Sequence, residues 1–402
     1  MTDSTAGLLA QLDSTGRDPV RGGYSRHGFT DAELTQREWF TEAATGVGLE
    51  PETDGNGNIW AWWDGHRGPD ALVTGSHLDS VPGGGAFDGP LGVTSALAAV
   101  AALRAEGFRP GRPLAVAVFV EEEGGRFGVP CLGSRLLTGA LPAADALART
   151  DRDGIPLADA MRSAGFDPDR VGAEPDRLAG IGAFVELHVE QGTLLAPSGA
   201  ALGLATGIVA HGRWRFRFAG QGNHAGTTAM DERRDPMLAA AATVLAVHEV
   251  AAARGSRATV GRLQPTPGGT NVIASTVDLW LDARDDTADR VQATVAEIVD
   301  AAQRLAEARG CTVEATAESI SGQVDFPAPL RDELSAVLGD LPQVPTGAGH
   351  DAGILAAHVP SAMIFVRNPT GISHAPQEHA EADDCAAGEQ ALTAVLRRLA
   401  GA

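Results

Sequence analysis

The sequence predicts an α/β protein in two domains, the second a ferredoxin-like βαββαβ unit inserted into the first. Three observations lead there. At 402 residues the chain exceeds the usual size of a single hydrophobic core. In its first half, short apolar strands alternate with helical stretches and end in His, Asp and Glu, where such sheets place their sites. From residue 208 the pattern changes to strand, helix, strand, strand, helix, strand.

In chain order, ALVTGSH (71–77) reads as a buried strand, followed by a glycine-rich loop and an apolar helix, PLGVTSALAAVAALRAEG, from Pro90. PLAVAVFV, from Pro113 to Val120, is a second apolar strand and runs directly into EEEGG. IGAFVELHVEQG is a third, with Phe184, Val185 and Leu187 leading to His188, Glu190 and Gln191. The inserted unit, placed at 208–322, begins with the strand GIVAHGRWRFRFAG and the helix DPMLAAAATVLAVHEVAAARG. The strands ATVGRLQ and STVDLWLDAR, the helix TADRVQATVAEIVDAAQRLAEARG and the strand CTVEATAES complete it. PLRDELSAVLG, SAMIFVR and a helix from about Asp384 then resume the first sheet, so the first domain is discontinuous, 1–207 and 323–402. Neither an internal repeat nor a low-complexity tract interrupts this order.

Composition narrows the function. A formal charge of −21 and a pI near 4.8 repel nucleic acid and anionic membranes, and suit a small polar substrate. The N-terminus, MTDSTAGLLAQLD, lacks the basic and long apolar regions of a signal peptide, and the fully apolar runs elsewhere read as too short to cross a bilayer. A soluble cytoplasmic protein with no membrane partner is the expectation. Cys131, Cys311 and Cys385 are widely spaced and form no CxxC pattern, which predicts buried free thiols. All 31 basic residues are arginine. The absence of lysine removes Schiff-base and PLP chemistry, Walker-A nucleotide sites and protein kinases.

The polar residues at the predicted strand ends are His77, Asp79, Asp88, Glu122, Glu123 and His188, joined by His374 in TGISHAP. An isolated HxD or EE pair is usually a solvated surface feature, and a lone His beside apolar neighbours is usually a satisfied partly buried residue. Three imidazoles and several carboxylates at one end of one sheet instead form a ligand set for divalent cations such as Zn²⁺ or Mn²⁺. The glycines of GSHLDSVPGGGAFDGP let the backbone turn back so that Asp88 can reach the same place as His77. A carboxylate shared by two cations allows a separation of roughly 3.5–4 Å, the spacing of two-metal hydrolases. Asp79 reads as the carboxylate behind His77 that fixes its tautomer.

At this point the residues resemble the di-metal amidohydrolases of the M20 peptidase clan, and more narrowly its ureido-acid branch. That branch comprises allantoate amidohydrolases, N-carbamoyl-L-amino-acid hydrolases and β-ureidopropionase-type enzymes. The resemblance runs through GSHLDSVPGGGAFDGPLGV, EEEGGRF, ELHVEQG, GNHAGTTAMDERRDP, NVI, LDAR, GAGHDA and GISHAP. His188, where peptidase members usually carry a carboxylate, favours the ureido-acid branch. The resemblance implies an exopeptidase-like catalytic domain, with a mixed sheet between helices, and an inserted lid and dimerisation domain. It implies one ion held by His77, Asp88 and His188 and another by Asp88, Glu123 and His374, as Zn²⁺ or Mn²⁺, with Co²⁺ or Ni²⁺ as substitutes. Glu122 is implied as the general base, with Asp79 in support. His224 is implied to polarise the scissile carbonyl, commonly across a homodimer, while Gln191, His211, Asn271 and Arg284 contact a small carboxylate substrate. An Arg fork matches a carboxylate geometrically. Taken without the resemblance, His224 reads as a turn residue, Asn271 as an Asx-turn and Arg284 as an ion pair with Asp282 or Asp285. His211 stands where the branch often has Gln, and Gly125 and Ala229 replace a common Ser and Pro.

The implied activity is hydrolysis of a linear C–N amide bond in allantoate or an N-carbamoyl-L-amino acid. An N-acyl or N-formyl amino-acid deacylase or dipeptidase shares the same ligands, and a non-catalytic small-molecule binder is the reading from another class. The intact EE pair argues against the binder. Amidases built on Cys–Glu–Lys or on a carboxylated lysine are excluded by the missing lysine, and no GxSxG elbow supports a serine mechanism.

Overall fold

The computed structural model describes residues 4–401. The chain divides into two compact units, Met1–Gly207 with Asp325–Ala402, and Ile208–Val324. In the first unit the strands β1 (Leu49–Thr53), β2 (Ile59–Trp63), β3 (Ala71–His77), β4 (Leu114–Phe119), β5 (Ile181–Val189) and β6 (Leu202–Ile208) precede the insertion. The second unit contains β7 (Ala210–Ala219), β8 (Asn223–His224), β9 (Arg257–Thr266), β10 (Val272–Ile273), β11 (Thr276–Asp285) and β12 (Thr312–Ser321). The chain returns through β13 (Val324–Asp325), β14 (Gln343–Thr346) and β15 (Ser361–Val366).

The sheet of the first unit is mixed, as predicted, with β1-β2-β4-β3-β5-β15-β6 as neighbours. Its centre is parallel: β3 pairs in parallel with β4 and with β5, and β5 with β15. Strands buried on both faces need apolar side chains on both, which explains the continuous runs LAVAVF and ALVTG. Leu72, Leu114, Val116, Val118, Val185, Leu187 and Ile364 form one cluster with Leu91, Leu97, Leu392 and Leu396 of the helices Pro90–Ala105 and Ala382–Ala400. Pro90 opens its helix at a position where the missing N–H costs nothing.

The second unit is a four-stranded antiparallel sheet, β12-β7-β11-β9, with the helices Pro236–Arg254 and Ala288–Glu307. Numbered by their order in the unit the strands run 4-1-3-2, the ferredoxin-like arrangement. Alternation along β7 buries Trp214, Phe216 and Phe218 and turns His211, Arg213, Arg215 and Arg217 to the other face. Val291, Val295, Ile298, Ala302 and Ala306 give the second helix its buried stripe, and Thr287 caps it by accepting from the Arg290 N–H.

The helix Pro236–Arg254, 19 residues with a mean hydropathy of 1.5, is long and apolar enough by length and composition to cross a membrane. Its apolarity is mostly alanine, and Ala239, Ala240, Thr243, Val247 and Ala251 are buried within the unit. The three cysteines are buried and free.

Candidate active site

Because β4, β3, β5 and β15 are parallel, their C-terminal ends open on the same side of the sheet. His77 closes β3, Glu121–Glu123 follow β4, His188 lies one residue from the end of β5, and His374 comes from the loop after β15. Asp88, from the glycine loop, stands among them. Its Oδ1 lies 3.2 Å from His188 Nε2 and 3.6 Å from His77 Nε2, and its Oδ2 lies 3.4 Å from His374 Nε2. His374 Nε2 is also 3.4 Å from Glu123 Oε2. Of three triplets of ligand-type atoms, two share Asp88, His77–Asp88–His188 and Asp88–Glu123–His374, and the third is Glu186–His188–His350.

These atoms fit divalent cations. His77 Nε2, His188 Nε2 and Glu123 Oε1 are buried without a hydrogen-bond partner. Such a group costs about 1–3 kcal/mol when left unsatisfied, and a cation satisfies imidazole nitrogen and carboxylate oxygen alike. Each imidazole is already oriented for it. His77 Nδ1 is 3.0 Å from the Asp79 carbonyl and His188 Nδ1 is 2.8 Å from the Val189 carbonyl. With Nδ1–H donating to a carbonyl, Nε2 faces Asp88 and is the nitrogen left to hold a cation. Burial alone raises the Asp88 pKa, but the His188, His374 and His77 imidazoles outweigh it and hold the carboxyl well below its ordinary range.

Asp79 differs from the sequence reading in which atom does the work. Its carboxylate is 3.6 Å from His77 Nδ1, and the main-chain carbonyl takes the hydrogen bond instead. The two carboxylate oxygens accept from the N–H groups of Glu122 and Glu123, at 3.0 and 3.1 Å. Asp79 therefore sets the backbone from which both acidic side chains project.

The three consecutive glutamates have distinct surroundings. Glu121, at φ +53, accepts from the N–H groups of Gly28, Arg126 and Phe127, so its carboxylate is occupied by backbone. Glu122 points the other way: Oε2 is 3.7 Å from His77 Nε2, and Oε1 accepts from the Cys131 thiol at 3.3 Å. Burial, reinforced by Asp351, Glu123 and Asp79 against the pull of His77, pushes the Glu122 pKa well up. Gln191 donates from Nε2 to Asp88 Oδ2 at 2.8 Å. His350 is buried with its ring centroid 4.4 Å from that of His188, at the start of the helix Asp351–Leu355.

The glycine loop has a partner that sequence reasoning missed. Glu378 Oε1 accepts from the Phe87 and Asp88 N–H groups at 3.1 and 2.9 Å, and so fixes the segment carrying Asp88. A Cβ on Gly85 would stand 2.3 Å from that same oxygen. One on Gly89, at φ +84, would lie 2.5 Å from the His77 ring, so this glycine makes room for the imidazole. Glu378 lies four residues after His374 in GISHAPQEHA, and that proximity was the only signal in the sequence.

The second unit gathers the remaining predicted residues in two places. His211 and Arg284 are register partners on β7 and β11, and the Arg284 guanidinium meets Asp282 at 2.7 and 3.1 Å. His224 pairs with Val272 on the short β8–β10 ladder, and Ala225 N–H donates to the Asn271 carbonyl at 3.0 Å. Two surface cavities lie elsewhere: about 890 Å³ beside Trp62 and Arg177, and about 680 Å³ beside Leu8 and Leu97.

A parallel sheet end with two ligand triplets around one carboxylate, in a chain interrupted by a ferredoxin-like unit, has the layout of a two-metal hydrolase. The chain belongs to peptidase family M20/M25/M40, whose profile matches residues 73–398. Enzymes of the M20 family are di-metal dependent, and residues able to hold metal are present here. The chain is 38% identical over 401 residues to the N-carbamoyl-L-amino acid amidohydrolase of Geobacillus stearothermophilus, covering 98% of this chain and 97% of that one. It is 32% identical over 410 residues to the allantoate amidohydrolase of Escherichia coli (strain K12), covering 98% and 96%. The crystal structure of an amidase of the hydantoinase/carbamoylase family from Burkholderia vietnamiensis superposes with a TM-score of 0.90 at 29% identity, over 99% of this chain and 98% of that one.

Proposed function

We propose that this protein hydrolyses a linear C–N amide bond in a small ureido acid bearing a carboxylate, an N-carbamoyl-L-amino acid or allantoate. The observation that carries the reading is Asp88, whose two oxygens face the Nε2 atoms of His77, His188 and His374 while Glu122 stands beside them unliganded by backbone. His77, Asp88 and His188 would hold one Zn²⁺ or Mn²⁺ ion, and Asp88, Glu123 and His374 the other. The chemistry such a pair supplies when bound is Lewis acidity toward a water and a carbonyl oxygen.

Glu122 acts as general base. It takes a proton from the attacking water and delivers it to the departing nitrogen as the C–N bond breaks, a task suited to a carboxyl whose burial raises its affinity for a proton. His224 donates to the scissile carbonyl oxygen, and Arg284, Asn271, His211 and Gln191 orient the substrate, Arg284 through its carboxylate. Arg284 already holds Asp282, and a substrate carboxylate would compete for the same fork. We assign the second unit as a lid and dimerisation unit, with His224 serving the neighbouring copy of a homodimer.

The test is a screen of metal-loaded protein against allantoate and N-carbamoyl, N-formyl and N-acetyl amino acids, scoring ammonia and free amine. Ureido acids should be cleaved with release of ammonia. Turnover of N-acetyl or N-formyl substrates alone would replace this reading with a deacylase.

A further inference from the structure

We propose that the turn following His224 is built to hold this imidazole with its proton on Nε2, and that Arg233 is the positioning residue of that turn. The inference rests on the carbonyl-polarising role given to His224 above. A neutral imidazole polarises a carbonyl only through an N–H, and the proton can sit on either nitrogen. In this structure the Gly226 N–H donates to His224 Nδ1 at 3.0 Å. With the Nδ1 lone pair taken, the proton is on Nε2, the atom directed away from the turn.

The amide that performs this is itself held from both sides. On one side, Thr228 Oγ1 and Thr228 N–H donate to the His224 carbonyl at 2.8 and 3.2 Å, and Ala225 N–H donates to the Asn271 carbonyl at 3.0 Å. On the other, Arg233 Nη2 donates to the Ala225 carbonyl at 2.7 Å and to the Thr228 carbonyl at 3.1 Å, and its Nε donates to Thr228 at 3.2 Å. Among the described residues no carboxylate forms an ion pair with Arg233, so its donors are directed to backbone carbonyls on either side of Gly226. His224, Gly226 and Thr227 are exposed, yet the backbone on both sides of Gly226 is held by hydrogen bonds. A Cβ on Gly226 would come within 3.2 Å of His224 Cε1, so the ring would have to shift to accept it.

The experiment reads the tautomer directly. In ¹⁵N-histidine-labelled, Zn²⁺-loaded protein, long-range ¹H–¹⁵N correlation, with His224 assigned by its loss in His224→Gln, should show an unprotonated Nδ1 and a protonated Nε2. Arg233→Ala should mix the two tautomers and lower kcat by about 10- to 100-fold, less than the roughly 10²–10³-fold of removing an electrophilic donor outright. KM and metal content should stay within about twofold, and Arg233→Lys, which keeps some of the donors, should recover part of kcat. Should Arg233→Ala not fold, Gly226→Ala takes its place, with the added methyl displacing the ring and lowering kcat. A proton on Nδ1, or an Arg233→Ala protein with one tautomer and full kcat, overturns the proposal. Full turnover in His224→Ala would instead remove the catalytic role of His224, while the tautomer measurement would still decide whether the turn holds the ring as described.

Discussion

Glu121 and Glu122 are adjacent, chemically identical and both buried, yet they are fitted for different work. Three backbone N–H groups occupy Glu121, whereas Glu122 meets a thiol and faces the imidazoles. Glu122→Gln should therefore retain its metal and lose about two to four orders of magnitude in turnover, the range for removing a general base. Glu121→Gln should show up in thermal unfolding instead, at about 1–3 kcal/mol for weakened buried hydrogen bonds. Normal turnover in Glu122→Gln would move the base elsewhere. Asp88 permits a separate test, since two of the triplets share it. Asp88→Ala should lose two ions together, and His188→Ala and His374→Ala one each, as read by metal analysis of each purified protein. A chelator should abolish activity and Zn²⁺, Mn²⁺ or Co²⁺ restore it; full turnover in verified metal-free protein would reject the mechanism.

At the scale of elements, the helix Pro90–Ala105 and the loop before it divide stability from function. Leu97 is fully buried in the main core cluster, and Leu97→Ala should cost about 2–5 kcal/mol in denaturant unfolding through the cavity it leaves. The bound metal of the folded protein should be little changed. Gly89, at the entry to the same helix, should behave in the opposite sense. Gly89→Ala places a methyl against the His77 ring at a φ that alanine rarely adopts, so metal affinity should fall sharply while far-ultraviolet circular dichroism stays native. Unaltered metal binding in Gly89→Ala would show that the ring can give way.

For the whole molecule, the proposed homodimer makes the active site a property of two chains. Mixing Glu122→Gln with His224→Ala under subunit exchange should yield heterodimers with one intact site. Random exchange puts about half the dimers in that state, restoring up to about a quarter of wild-type activity when sites are independent. A strictly monomeric protein, or no recovery after demonstrated exchange, would confine His224 to its own chain and leave the metal chemistry untouched.

The sequence by itself determined the periodic features. Strand ALVTGSH and the helix from Pro90 are legible because burial on both faces of a parallel sheet leaves an unbroken apolar run, and proline and glycine mark the boundaries. The 4-1-3-2 sheet of the second unit follows from an element order that admits few other topologies. Residue types at strand ends and in the glycine loop likewise point to His77, Asp88 and His188. What only the tertiary structure decided are contacts between segments remote in sequence. Glu378 reaches Asp88 across 290 residues with only its nearness to His374 to announce it, and Glu121 reaches Gly28 across 93 with no local pattern. The division of labour among three consecutive glutamates, and the choice of the Asp79 main chain over its carboxylate for His77, depend on ångström-scale direction. Such direction is set by a positive φ at Glu121 and by which N–H groups happen to converge, and no periodicity in a one-dimensional sequence encodes it.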